Sequence, residues 1–118
     1  MDVTPLIRSD LNIIQSYKHG QIKVSGTLYS HPIIVTADHV FDYVPSSTKL
    51  SVNDFIMIKN TTEIILYGID GVAMPPDLAT RQSFRDHGFS LDIMDKGSAC
   101  RTYNVLIAEG RKVAVVLV

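Results

Sequence analysis

The chain has 118 residues, of which 46% are hydrophobic and 19% charged, and its formal net charge is −1, from 11 basic and 12 acidic side chains. This size and balance predict one globular domain over residues 1–118 and exclude an intrinsically disordered chain. The basic residues are dispersed, and Arg111-Lys112 is their only adjacent pair. Because nucleic-acid-binding proteins cluster their basic side chains, no nucleic-acid partner is expected.

The first half of the chain contains short runs of β-prone residues separated by turn formers. The runs cover residues 11–17, 22–24, 27–29 and 33–36, and the breaks between them fall at Gly20, Gly26 and His31-Pro32. This spacing is typical of hairpins and predicts an antiparallel β meander. Ser51 and Asp54 then resemble a capping box, which predicts a short helix over the following residues.

The second half alternates between strands and helices. Strands are predicted at residues 63–67, 91–94 and 113–118, separated by a helix that Pro75-Pro76 opens and Gly88 closes and by a helix at 98–109 closed by Gly110. This β-α-β-α-β order predicts parallel strands with right-handed crossovers. Because residues 113–118 are apolar throughout, their strand should be central and covered on both faces. A layered α/β fold follows.

The last predicted helix has one apolar face. Its sheet-facing positions at helical spacing are Ala99, Tyr103, Leu106 and Ile107. Cys100 falls at the margin of this face. Tyr103 is predicted to anchor the helix to the sheet, and the amide of Asn104 to satisfy a neighbouring backbone group.

The single cysteine, Cys100, excludes an internal disulfide and a multi-cysteine zinc site, and it predicts a reducing, cytoplasmic location. No apolar run approaches the roughly 20 residues that cross a bilayer, so no membrane span is expected. The N-terminal residues lack the pattern of a secretory or mitochondrial leader. The histidines have no ligand-like spacing; only His39 and Asp42 are close enough in sequence to suggest a pair. Neither a metal nor a cofactor is predicted.

A longer pattern carries a family resemblance. Residues 94–95, the run 99–106 and the Ala-Glu-Gly-Arg of residues 108–111 are similar to a family of unknown function, the Mth938-like domains, which includes the mitochondrial complex I assembly factor 3 type proteins. The resemblance implies a three-layer fold with a mixed central sheet, and it brings no enzymatic activity with it. Where the family often has Gly-Thr-Gly, this chain has Gly68-Ile69-Asp70-Gly71, and the added carboxylate of Asp70 would repel an anion.

The candidate site follows from the parallel strands. Ligands of open parallel sheets bind beyond the carboxyl ends of the strands, so the loops 68–71 and 95–98 should share one edge. The second loop leads into a helix N-terminus, which could hold a carboxylate or phosphate; the alternative is capping by Ser98 or Asp95. The candidate ligand-binding residues are Gly68, Gly71, Asp95, Ser98, Cys100 and Arg101.

Cys100 has two interpretations. The helix N-terminus and Arg101 favour a reactive thiolate, whereas a position at the margin of the core favours a small buried residue. We favour the structural role, since no general base accompanies the thiol, and no catalytic residue is predicted.

Two functions remain open. The helix over residues 75–87 has no clean apolar stripe, and with Ile69 and residues 72–74 it could form a partner surface. The favoured hypothesis is a non-enzymatic interaction or assembly module, which would bind another protein or a second copy of the chain. The alternative is a small-anion-binding or thiol-dependent enzyme whose site lies at the strand ends.

Overall fold

The computed structural model describes residues 10–18 and 20–118, and this part of the chain forms two sheets, two α-helices and one 3₁₀ helix. In chain order the elements are β1 (Ile14–Lys18), β2 (Gln21–Val24), β3 (Thr27–Tyr29), β4 (Ile33–Val35), β5 (Val40–Asp42), the 3₁₀ helix (Val52–Ile58), β6 (Ile64–Ile69), α1 (Leu78–Asp86), β7 (Ser90–Asp95), α2 (Lys96–Ala108) and β8 (Val113–Leu117).

The first sheet is the predicted antiparallel meander, in the order β1-β2-β3. Its second hairpin closes through Ser25 and Gly26, whose φ angles of 46° and 91° are both positive. A two-residue hairpin turn of this kind needs positive φ at both positions. The fourth predicted run does not belong to this sheet: β4 pairs antiparallel with β5 and β8 in the other sheet. All three β4 residues are buried, so β4 needs cover on both faces.

The second sheet has five strands in the order β5-β4-β8-β6-β7. β6 pairs in parallel with both β7 and β8, which confirms the predicted β-α-β-α-β unit. The antiparallel pairing of β4 with β8 makes the sheet mixed. β8 is central and all five of its residues are buried, as predicted. β5, an edge strand whose residues are half-buried or exposed, is not among the predicted strands.

Alternate residues of β8 enter two different cores. Val115 packs on one face with Tyr103 of α2 and with Ile22 of the small sheet. Val116 packs on the opposite face with Phe55 of the 3₁₀ helix and Phe84 of α1. Successive side chains of a strand point to opposite faces, so one apolar run supplies both cores. The five-stranded sheet is therefore the middle of three layers.

The helices begin at different residues from those predicted. α2 begins at Lys96 with Asp95 as its N-cap, and α1 begins at Leu78 with Asp77 as its N-cap, after the two prolines. The element after Ser51 is a 3₁₀ helix; Ser51 caps it, but the carboxylate of Asp54 accepts from Ser46 N. An aspartate carboxylate accepts an otherwise unpaired N–H of the first helical turn, which explains both aspartate caps. None of the described helices is long and apolar enough to cross a bilayer.

Candidate functional site

The two predicted loops do share one edge of the sheet. β6 and β7 run in register to their ends, where Ile69 is paired with Asp95. Gly68, however, lies inside β6 and not in a loop. Gly71 follows the strand with φ of 83°, and a Cβ there would meet open space. Gly71 therefore serves the turn, since positive φ favours glycine.

Gly68 is required for close packing of α2 on the sheet. A Cβ at this position would lie 2.9 Å from the Cβ of Ala99 and 2.9 Å from Cδ2 of Leu117, and 3.3 Å from the Cα of Lys96. These distances are shorter than ordinary carbon contacts. The absence of a side chain thus lets the first turns of α2 lie directly on β6.

The N-terminus of α2 is capped by its own carboxylate. Asp95 Oδ1 accepts from the Ser98 backbone N–H at 2.9 Å, and Asp95 Oδ2 accepts from Ser98 Oγ at 2.7 Å. The hydrogen bonds from Ser98 lower the pKa of Asp95. Arg101 donates to Ser98 Oγ at 3.3 Å. Asp95 therefore caps the helix, which is the alternative to ligand binding that the sequence left open. An anion at this helix end would be repelled by the Asp95 carboxylate. The ligand-binding role of these residues stays a prediction.

Lys96 is a member of this edge that the sequence interpretation missed. It is only 8% exposed, and its Nζ donates to Asp70 Oδ2 at 3.1 Å and lies 5.9 Å from the centre of the Tyr17 ring. The Tyr17 hydroxyl donates to Asp70 Oδ1 at 3.3 Å. Because β6 and β7 end in register, a lysine just after one strand faces an aspartate just after the other. No local sequence signal indicates the pair, because it depends on the register between β6 and β7.

Cys100 is buried, with 6% exposure, beside a cleft of about 300 Å³ between β1 and the first half of α2. Burial raises the pKa of its thiol to about 11, although the charges of Arg101 and Lys96 act in the opposite direction. Burial therefore outweighs the electrostatic stabilisation of the thiolate. At neutral pH the sulfur is a protonated thiol, which is a weak nucleophile.

We expect the Cys100 thiol to react slowly with a thiol-specific reagent. A pKa of about 11 in place of 9.0 reduces the thiolate fraction at neutral pH by roughly 100-fold, because each pKa unit is a factor of ten. The labelling rate is measured in buffer for the folded chain and in urea for the unfolded chain. We expect the labelling rate of the folded chain to rise steeply with pH up to about 11. Labelling faster than in the unfolded chain would contradict the structural role and favour chemistry at Cys100.

Two side chains next to Cys100 attach α2 to the small sheet. The Tyr103 hydroxyl donates to the carbonyl of Asn12 at 3.0 Å. Asn104 accepts from the N–H of Ile14 at 2.9 Å and donates to the carbonyl of Ile14 at 2.8 Å. The amide thus pairs both backbone groups of one β1 residue, as a neighbouring strand would. The predicted structural roles of Tyr103 and Asn104 are confirmed.

The histidines do not assemble a metal site within residues 10–18 and 20–118, where no group of three or more histidine, cysteine or acidic side chains is placed to hold an ion. His31 Nε2 lies 2.6 Å from Asp42 Oδ1, so it is His31, not His39, that pairs with Asp42. The His39 ring stacks on Phe41. Hairpin pairing of β4 with β5 brings His31 to Asp42, which sequence spacing alone did not indicate. His19 lies outside the described residues.

Known proteins resemble this chain over nearly its whole length. Residues 14–118 match the family described as "Protein of unknown function (DUF498/DUF598)". The "13 kDa major membrane protein" of Francisella tularensis subsp. holarctica (strain LVS) is 32% identical over 109 residues, which are 88% of each chain. A crystal structure from Bordetella parapertussis has 27% identity and a TM-score of 0.78, and covers 92% of this chain and 95% of its own.

A solution structure from Bordetella pertussis, described as a Mth938-like domain, has a TM-score of 0.79 and 21% identity, and covers 100% of this chain and 92% of its own. At this identity the likeness establishes the fold, and the fold agrees with the layered arrangement described above. The match to the family model and the identity with the Francisella protein are similarities of sequence, so they establish family membership. The chain therefore belongs to the DUF498/DUF598 family of unknown function and has the fold of the Mth938-like domains.

Proposed function

We propose that this chain is a non-enzymatic protein-interaction module, and that its partner binds the segment over residues 72–78. The observation that carries the proposal is the exposure of three large apolar side chains in this short segment. Val72 is 86% exposed, Met74 69% and Leu78 81%. Scattered apolar residues are normal on a surface, but an apolar group concentrated in one segment is typical of a protein interface.

The backbone of the segment favours binding. Pro75 and Pro76 separate Met74 from the N-cap of α1, and each proline fixes its own φ. The segment is held at one end by β6 and at the other by α1, whose Phe84 is fully buried in the core. A restrained segment loses less conformational entropy when a partner binds, so more of the apolar burial contributes to affinity.

The edge of the sheet where β6 and β7 end supports an interaction module in preference to an enzyme. Its charged groups already satisfy one another, since Lys96 binds Asp70 and Asp95 caps α2. Cys100 is buried and protonated at neutral pH. A small-anion-binding or thiol-dependent enzyme, the alternative, would need to break these contacts. The resemblance to the complex I assembly factor 3 type proteins favours an assembly role, in which a module binds a partner without changing it chemically.

We further propose that the module works in the cytoplasm, because a lone free cysteine is typical of a reducing compartment. A relative carries the name "13 kDa major membrane protein", so the experiment must sample both soluble and membrane fractions. Recovery of the native protein mainly from membranes would contradict the cytoplasmic part of the proposal and leave the partner surface to be tested by itself.

We expect replacement of Val72, Met74 and Leu78 by serine to abolish partner binding. The measurement is cross-linked affinity capture from native cells, quantified by mass spectrometry for wild type and variants. Loss of three apolar contacts worth about 1 kcal/mol or more each should weaken the affinity by about a hundredfold or more, so that partner recovery falls to background. A matched control replaces three apolar residues that are exposed elsewhere, Leu28, Val44 and Val105, and should retain the partner.

Two results would contradict this assignment. Equal partner recovery by the triple variant and the control would exclude the segment as the interface. Turnover of a substrate by the purified protein would exclude the non-enzymatic role. Sedimentation equilibrium over a range of concentrations shows whether the partner is a second copy of the chain: a dimer that the triple variant loses and the control keeps identifies self-association.

A further inference from the structure

A cavity of about 470 Å³ lies at the opposite end of the parallel strands from the edge described above. It opens between the start of β8, the turn after β4 and the end of the 3₁₀ helix, and residues at all three places line it. Its volume falls within the range of small-molecule sites, which is about 300–1,000 Å³. Neither the candidate site nor the segment over residues 72–78 contributes to it.

The floor of this cavity is apolar and firmly held. Ile58, Ile107 and Val113 line it and are each no more than 3% exposed. Ile58 comes from the 3₁₀ helix on one face of the five-stranded sheet, and Ile107 and Val113 belong to the core on the other face, so the floor spans the end of the sheet. Leu11 and Phe41 add apolar walls. Such a floor offers burial to a hydrocarbon or aromatic group without a change in backbone structure.

The rim of the cavity carries an unbalanced positive charge. Arg111 and Lys112 line it, are exposed, and make no side-chain ion pair or hydrogen bond with any residue in the described part of the chain. Their backbone is fixed, because the Lys112 carbonyl accepts from the N–H groups of Glu63 and Ile64 at 2.8 and 3.1 Å. Asp38 is the acidic side chain of the lining. Among the described residues of the lining, two cationic side chains without an ion pair therefore accompany one carboxylate.

We propose that this cavity binds a small organic monoanion, with a carboxylate at Arg111 and Lys112 and an apolar body of medium-chain length against Ile58, Ile107 and Val113. Arginine and carboxylate form charge-assisted, bidentate hydrogen bonds, which suits Arg111 to the head group. The Asp38 carboxylate disfavours a ligand head of higher negative charge. The His39 ring, stacked on Phe41 with centroids 5.5 Å apart, forms a flat wall beside the entrance.

The test titrates the full chain with octanoate and follows backbone amide resonances by NMR. We expect saturable shifts at residues 36–39, 57–61 and 107–113, which surround the cavity. Acetate lacks the apolar body and 1-octanol lacks the charge, so both should bind about tenfold or more weakly than octanoate, the loss expected for a charged hydrogen bond or several buried methylene groups. Octanoate affinity should also fall as salt screens the rim charges.

The variant Arg111→Gln with Lys112→Gln should weaken octanoate binding by about tenfold or more, because both head-group contacts are lost. The matched control, Arg81→Gln with Arg85→Gln, removes two exposed arginines of α1 that lie outside the cavity lining and should leave the affinity unchanged. Absence of saturable shifts around the cavity, equal binding of 1-octanol, or equal weakening by both double variants would each overturn the proposal. Retained affinity in the Arg111 and Lys112 variant would overturn it as well.

Discussion

Replacement of Gly68 by valine should lower the free energy of unfolding by about 3 kcal/mol or more, and replacement by alanine by roughly 1–3 kcal/mol. The first added carbon would already lie 2.9 Å from both the Ala99 Cβ and Leu117 Cδ2, and 3.3 Å from the backbone of Lys96. The last of these contacts cannot be relieved by a rotamer change. Relief requires α2 to move away from the sheet, which exposes or loosens the core on that face.

Gly97, the second residue of α2, offers a matched control. A Cβ at Gly97 would lie 3.3 Å from a guanidinium nitrogen of Arg101, which is the end of a flexible side chain, and Gly97 has no positive φ. Alanine there should leave stability within about 0.5 kcal/mol or raise it slightly, because alanine is the better helix former. Urea unfolding of the three variants measures both effects. Equal stability of the Gly68 and Gly97 alanine variants would contradict the packing role of Gly68.

Replacement of Tyr103 by alanine should cost about 3–5 kcal/mol of stability, the range for removal of a large aromatic side chain from a core. Tyr103 of α2 is 0% exposed and packs in the core between the five-stranded sheet and the small sheet. Phenylalanine at this position keeps the ring and removes only the hydrogen bond to Asn12, so it should cost about 1 kcal/mol. The control Val105→Ala, on the exposed side of α2, should change stability by less than about 0.5 kcal/mol.

The loss of stability in Tyr103→Ala should be concentrated in the small sheet. Tyr103 binds the chain just before β1, and Asn104 binds β1 itself. Hydrogen exchange by NMR should therefore show faster opening of β1 and β2 in Tyr103→Ala than in Tyr103→Phe, relative to β8. If Tyr103→Ala is as stable as Val105→Ala, or if β8 opens together with β1 in both Tyr103 variants, the anchoring role is wrong.

Much of the fold could be predicted because its signals are local. The apolar run that became β8 indicated a central strand, since only a strand covered on both faces buries every residue. The helices between β6, β7 and β8 required crossovers, and these made the strands parallel. Glycines after the helices and the spacing of Ala99, Tyr103 and Ile107 located α2 and its buried face. Each of these inferences needed only neighbouring residues and the period of one element.

The remaining features depend on which distant residues meet, and only the tertiary structure decided them. The run at Ile33–Val35 has the same local character as β2, but its place in the larger sheet depends on pairing with β8. Lys96 and Asp70 are 26 residues apart and meet because β6 and β7 end in register. The cavity beside Arg111 likewise joins segments from both halves of the chain. Local sequence sets backbone preference and periodicity. Contacts between distant residues depend instead on strand register and helix docking, and these are fixed by the packing of the whole core.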